Sequence, residues 1–158
     1  MTRHILLILP VLFFLSCKGD QQSAPAAAPT QTEKTALPPL TMEQLTYLFN
    51  NATYVDYIFH KLPFAVSQDS RAGVQANVAM IAVNSPINWK PGCESLGREF
   101  FHVDGEIVME AELYFTEDGS CQAYIFHENG KPAYANAVSD AGINFYNNLL
   151  KQPLPNGQ

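Results

Sequence analysis

The chain has 158 residues, is 47% hydrophobic and 15% charged, and carries a formal net charge of -6. That length fits one folded domain rather than a tandem multidomain enzyme, and the apolar content is enough for a core, which excludes global disorder. With 15 acidic against 9 basic residues and no basic run, the chain lacks the counter-charge a phosphate backbone needs, so nucleic acid is a poor partner.

The first predicted element is an address. Arg3 precedes an apolar run from Ile5 to Leu15, after which come Ser16 and Cys17. Such a run rises only about 16 Å as a helix, short of the roughly 30 Å hydrocarbon core, so residues 1–16 read as a signal peptide and not as a span. The quartet Phe14-Leu15-Ser16-Cys17 resembles the lipobox of bacterial lipoproteins, with Phe14 where leucine is usual. That resemblance implies a diacylglyceryl group on the Cys17 thiol, cleavage before it by type II signal peptidase, and acylation of the new amine. Each buried methylene contributes about 0.8 kcal/mol, and two or more chains make anchoring stable where one is marginal. The implied location is the cell envelope, on either face of the outer membrane. Lys18-Gly19-Asp20 is similar to the basic-plus-acidic tag of some surface-displayed Gram-negative lipoproteins.

Residues 17–40 then form the lipidated cysteine and a spacer rich in Ala, Pro, Gln, Thr and Ser, with no aromatic residue to offset its ordering entropy by burial. Residues 41–152 are the folded domain and residues 153–158 a loose tail. The domain carries 6 basic and 13 acidic residues, a net of -7.

Within the domain, Thr41 and Gln44 make a capping-box pattern ahead of the stripe Met42, Leu45, Leu48, Phe49 and Ala52, which predicts a first helix. Over residues 53–60 the β-branched and aromatic content fits a strand, whereas Val55, Ile58, Phe59 and Leu62 continue a helical stripe; the reading leans to helix. Ser67 or Asp69 can cap a second helix through Val74, Val78 and Ile81, weakened by Gly73. Residues 84–97, with Pro86, Trp89, Pro91, Gly92 and Gly97, read as a loop. Asp104-Gly105, Asp118-Gly119 and Asn129-Gly130 then separate four strands, near 98–103, 106–116, 121–128 and 131–137. Ser139 caps a last helix with Ile143, Tyr146, Leu149 and Leu150 on one face. The expected fold class is α+β: helices packed on one face of a four-stranded antiparallel meander, ending in a helix. In outline this is similar to cystatin-like and nuclear-transport-factor-like domains, a likeness of architecture that carries little function.

Symmetrical two-residue turns sort the strands into faces. One carries Phe100, Ile107, Met109, Ala111, Leu113, Phe115, Tyr124, Phe126, Ala133 and Ala135, and is the expected core face. The other carries Glu99, Phe101, Val108, Glu110, Glu112, Tyr114, Ala123, Ile125, His127 and Tyr134. In that register Glu99 faces Glu110, and Glu110 faces His127. The trio is either part of a solvated face, with His127 offsetting two carboxylates, or a site in which two carboxylates and an imidazole hold a divalent cation or share a proton. A single bulge would move residues to the other face.

With Cys17 given to lipid, Cys93 and Cys121 form an even pair in an oxidising compartment, and a disulfide is expected. The turn register leaves their strands roughly 10 Å apart, a gap that the loop broken by Pro91 and Gly92 can close. Trp89 is a candidate contact loop, read as a lid over the sheet end. His60 and His102 read as structural. No nucleophile elbow, phosphate loop, zinc spacing or dinucleotide fingerprint is present. The sequence therefore points to a lipid-anchored envelope protein acting as a binding or accessory module toward an envelope protein or small ligand, without a resident cofactor. The alternative is a small enzyme or metal-binding protein built on Glu99, Glu110 and His127.

Overall fold

The computed structural model describes residues 37–152, so the signal peptide, Cys17, the spacer up to residue 36 and the tail from residue 153 lie outside the described residues. The elements in chain order are α1 (Met42–Asn51), β1 (Tyr54–Phe59), β2 (Ala65–Gln68), α2 (Arg71–Val78), β3 (Ser95–Val103), β4 (Glu106–Phe115), β5 (Gln122–Glu128), β6 (Lys131–Ala137) and α3 (Asp140–Leu150). The architecture is α+β, with three helices and one antiparallel sheet of six strands, ordered β2-β1-β3-β4-β5-β6. The sheet thus has two strands more than the four expected. No helix among the described residues is long and apolar enough to cross a membrane.

Each helix begins where a side chain satisfies the free amides of its first turn. For α1, Gln44 N–H donates to Thr41 Oγ1 (3.2 Å) while Thr41 N–H donates to Gln44 Oε1 (2.8 Å), a complete capping box. Ser70, rather than Ser67 or Asp69, caps α2, and Ser139 caps α3. The expected helix over 53–60 is instead β1. Its burial alternates with period two: Val55, Tyr57 and Phe59 face inward and Asp56 outward. A helix would have placed the Asp56 carboxylate a turn from its own apolar stripe, whereas the strand gives it the other face. Residues 65–68, expected to lead into the second helix, pair with β1 as β2.

Asp104-Gly105 and Asn129-Gly130 both hold two consecutive positive φ angles, the backbone that lets a two-residue hairpin follow the strand twist. Besides a shift between Ser95 and Gly97, the meander has two register shifts that symmetrical turns do not reveal. Between Phe101 and His102 one strand gains a residue, so Phe100 and not Glu99 lies opposite Glu110, and Glu99 lies opposite Ala111. Between Phe126 and His127 a second shift places Tyr134 opposite Phe126 and Ala135 opposite Ile125. Both shifts turn the affected residues over, as a bulge must. Glu99 and Phe101 therefore belong to the helix-covered face and Phe100 to the other. Tyr134 likewise joins the core face, while Ala135 leaves it.

The core lies between the inner sheet face and the helices. Val55, Tyr57, Phe101, Ala111, Leu113, Tyr124 and Phe126 supply the floor, and Leu45, Leu48, Val74, Val78, Tyr146 and Leu149 the roof. Tyr146 packs against Phe115 (ring centroids 5.2 Å apart) and Tyr57 (6.4 Å). The end of the expected spacer is part of this body. Leu40 is 2% exposed, its N–H donates to Asn136 Oδ1 (2.9 Å), and Ala135 N–H donates to Pro38 O (2.9 Å). Pro38 and Leu40, ahead of residue 41, are therefore tied to the folded part.

Candidate functional site

The outer face of the sheet, opposite the helices, carries the ionisable groups. Two rows cross it. Asp56, Phe100, Glu110 and His127 are successive partners across β1, β3, β4 and β5, and Ile58, Arg98, Glu112 and Ile125 form the next row. Each outward carboxylate has a neighbour. Arg98 Nη2 lies 2.6 Å from Glu110 Oε1, a charge-assisted contact, and His127 Nδ1 lies 3.6 Å from the same oxygen. His60 Nε2 is 3.5 Å from Glu112 Oε1, and His102 Nε2 is 3.6 Å from Asp56 Oδ2. Ser67 Oγ donates to Asp56 Oδ1 at 2.6 Å, and Tyr54 packs edge-on against His102. Burial first, and then the Glu112 charge, push the Tyr114 phenol above its ordinary range, so it stays a neutral donor.

Sequence reading placed Glu99, Glu110 and His127 together. The structure brings Glu110 and His127 together and sends Glu99 to the opposite face, so Arg98 takes the third position. An arginine on the carboxylate competes with a cation for it, and among the described residues no group of three or more His, Cys, Asp or Glu side chains is placed to hold a metal ion. The residues that sequence reasoning missed are Arg98, Asp56, and the roles of His60 and His102. In the sequence His60 and His102 are lone histidines in aromatic surroundings, which gives no sign of their carboxylate neighbours Glu112 and Asp56.

At one end of this face a loop folds across the sheet. Asn88 bridges to Gln122, whose N–H donates to Asn88 O (2.7 Å), and Trp89 stands edge-on to Tyr114 with ring centroids 6.1 Å apart. Cys93 and Cys121 are joined by a disulfide, their Cα atoms 5.8 Å apart, so the loop does close the gap left by the turn register. Trp89 remains 40% exposed beside its contact with Tyr114.

No protein-family model, curated protein or solved structure matches this chain.

The side chains of the outer face are mostly half-buried, with Ile58 exposed and the His102 and His127 side chains largely covered. Two surface concavities lie elsewhere, one along α1 at Met42, Thr46, Tyr47 and Asn50, the other where Leu37 and Pro39 pass Val83, Pro86 and Ile87. Small-molecule and catalytic sites are characteristically concave and enclosing. The described outer face offers rows of mixed apolar and charged groups. Asp56, Glu110 and Glu112 outweigh Arg98, three carboxylates against one guanidinium, so with neutral imidazoles the face favours positive charge.

Proposed function

We propose that this chain is a lipid-anchored envelope protein whose domain is a binding module, and that it meets another envelope component through the outer face of its sheet. The observation that carries the reading is the asymmetry of the sheet. One face is roofed by helices, while the other presents Phe100, Ile58 and Ile125 among Asp56, Arg98, Glu110, Glu112, His60, His102 and His127, each ionisable group beside another and Arg98 closest to its partner, 2.6 Å from Glu110. Pre-formed polar pairs around apolar side chains lower the ordering cost of docking and set register more than affinity. The Cys93–Cys121 bond suits an oxidising compartment, in keeping with export.

The two halves of the proposal are tested separately. Labelled palmitate is expected in the wild-type protein and not in Cys17→Ser; equal labelling of both would remove the anchor. A photo-crosslinking amino acid at Phe100 is expected to capture a discrete envelope component that the same probe at Gln75, on the helix side, does not. Identical capture patterns at the two positions would remove the outer face as the contact surface.

A further inference from the structure

Glu99 belongs to none of this surface chemistry. It is 0% exposed, in the middle of β3 on the helix-covered face, between Tyr57 on β1 and Ala111 on β4. Among the described residues neither carboxyl oxygen has a partner at full hydrogen-bond geometry, although the neighbouring Tyr57 hydroxyl stands near enough to favour the charged form in part. A buried carboxylate without donors is among the costliest groups a core can hold.

The donors around it are engaged elsewhere. The Tyr57 hydroxyl donates to Asn77 Oδ1 on α2, and Asn77 Nδ2 donates to Gly73 O (2.9 Å), which holds the amide in place. The Tyr124 and Tyr146 hydroxyls bond each other at 2.8 Å, joining β5 to α3. These two side-chain bonds tie the sheet to α2 and α3. No cation balances the carboxyl among the described residues. Arg98 points to the outer face and Glu110, Arg71 on α2 reaches Asn50 O on α1, and Lys151 is exposed at the end of α3. The groups facing Glu99 are the phenols of Tyr57, Tyr124 and Tyr146, all pushed up first by burial and so all neutral.

We propose that Glu99 is a proton-controlled latch: its protonated carboxyl leaves the tyrosine hydroxyls free to hold α2 and α3 on the sheet, and loss of that proton loosens both helices. An ionised Glu99 needs hydroxyl donors, and the nearest ones are those that bond Asn77 and the Tyr124–Tyr146 pair. Solvating the new charge therefore breaks the side-chain ties between the layers, or else the helices lift to admit water. Either route opens the same interface.

Burial raises the carboxyl to about 8, the neighbouring Tyr57 hydroxyl opposing only part of that rise. Below the ordinary glutamate value near 4.5 the carboxyl is protonated in folded and open forms alike, and it biases neither. As pH rises from there toward about 8 the open form loses its proton while the closed form keeps it, so the closed form is progressively disfavoured. Above that range the bias is complete.

The test is amide hydrogen exchange of the full chain, corrected for the intrinsic pH dependence of exchange. The opening constant of α2 and α3 is expected to rise about tenfold between about pH 7 and about pH 9, and Glu99→Gln, which keeps a neutral side chain of the same shape, is expected to stay within about twofold over that range. A flat wild-type profile, or a Glu99→Gln profile that rises in parallel, overturns the proposal. A second measurement needs no variant. With carbon-13 in the glutamate side chains, one carboxyl is expected to titrate near 8, far above the others. If every glutamate carboxyl titrates in the ordinary range, the latch does not exist.

Discussion

Replacing Cys93 and Cys121 together by alanine is expected to lower stability by about 3.5 kcal/mol, because the bond closes a loop with a sequence separation of 28 and that closure restricts the unfolded chain. The loop brings little burial of its own. Pro91 and Gly92 are exposed, Trp89 is only partly covered, and its attachments besides the disulfide include the Asn88–Gln122 bridge and the edge-on Tyr114 contact. The crosslink is therefore the main covalent constraint on how residues 84–94 lie across the outer face. In a thermal melt the loss corresponds to a fall on the order of 10 °C for a domain of this size. Reductant should bring the wild type down to the double variant and leave the variant unchanged. A double variant that melts within about 2 °C of the oxidised wild type would mean that non-covalent contacts already hold the loop, contrary to this estimate.

Gly97→Ala is expected to be the most damaging single-methyl addition in the sheet. A Cβ there would stand 2.5 Å from Ile58 O and 2.9 Å from Phe59 Cα, both backbone atoms of β1. Backbone in a paired strand cannot swing aside as a side chain can, so β1 must part from β3. That would disturb the register that sets Tyr57 beside Glu99 and Asp56 beside Phe100. Overpacking of this kind costs about 3 kcal/mol. Gly73→Ala makes the contrast. Its Cβ would approach Gln68 Oε1 to 2.4 Å and the capping Ser70 Oγ to 2.9 Å, but both are side-chain atoms that can shift, and alanine gains about 0.5 to 1 kcal/mol over glycine in a helix to set against that adjustment. Urea unfolding should place Gly97→Ala well below the wild type and Gly73→Ala level with it or above. Equal midpoints for Gly97→Ala and wild type would show that β1 and β3 separate locally without cost.

Much of the local structure was legible because it is written in short-range chemistry. Thr41 with Gln44, Ser139, and the dipeptides Asp104-Gly105 and Asn129-Gly130 act within a few residues, and each stands where its pattern places it. β1 was not legible, since six residues satisfy both a period of two and a period near four, and the choice is made by β3, some forty residues later. The sign that favours the strand is Asp56 between Val55 and Tyr57, which a period of two sets apart from the apolar residues. β2 is four residues long and has no pattern to read.

The candidate site divides in the same way. Glu110 opposite His127 follows from the turn between β4 and β5, whose arithmetic is undisturbed. Glu99 escapes the turn arithmetic because β4 carries an extra residue, Val108, opposite the step from Phe101 to His102, where no glycine or proline marks a bulge. Its burial carries no sequence signal either, because a carboxyl in a core contradicts the usual partition of charge. Arg98, His102 and Asp56 became visible as a group only once β1 was a strand.

The strap from Leu37 to Leu40 has one more consequence. By taking up Ala135 N–H through Pro38 O and Asn136 through Leu40 N–H, and with Ala82 N–H on Ala137 O, the protein's own backbone occupies the β6 margin of the sheet. What remains is the Lys131–Tyr134 end of β6 and the β2 margin, each about four residues long and a poor template for strand addition. Copies crowded side by side on a surface would thus have little means of stitching into a fibre, whatever their density.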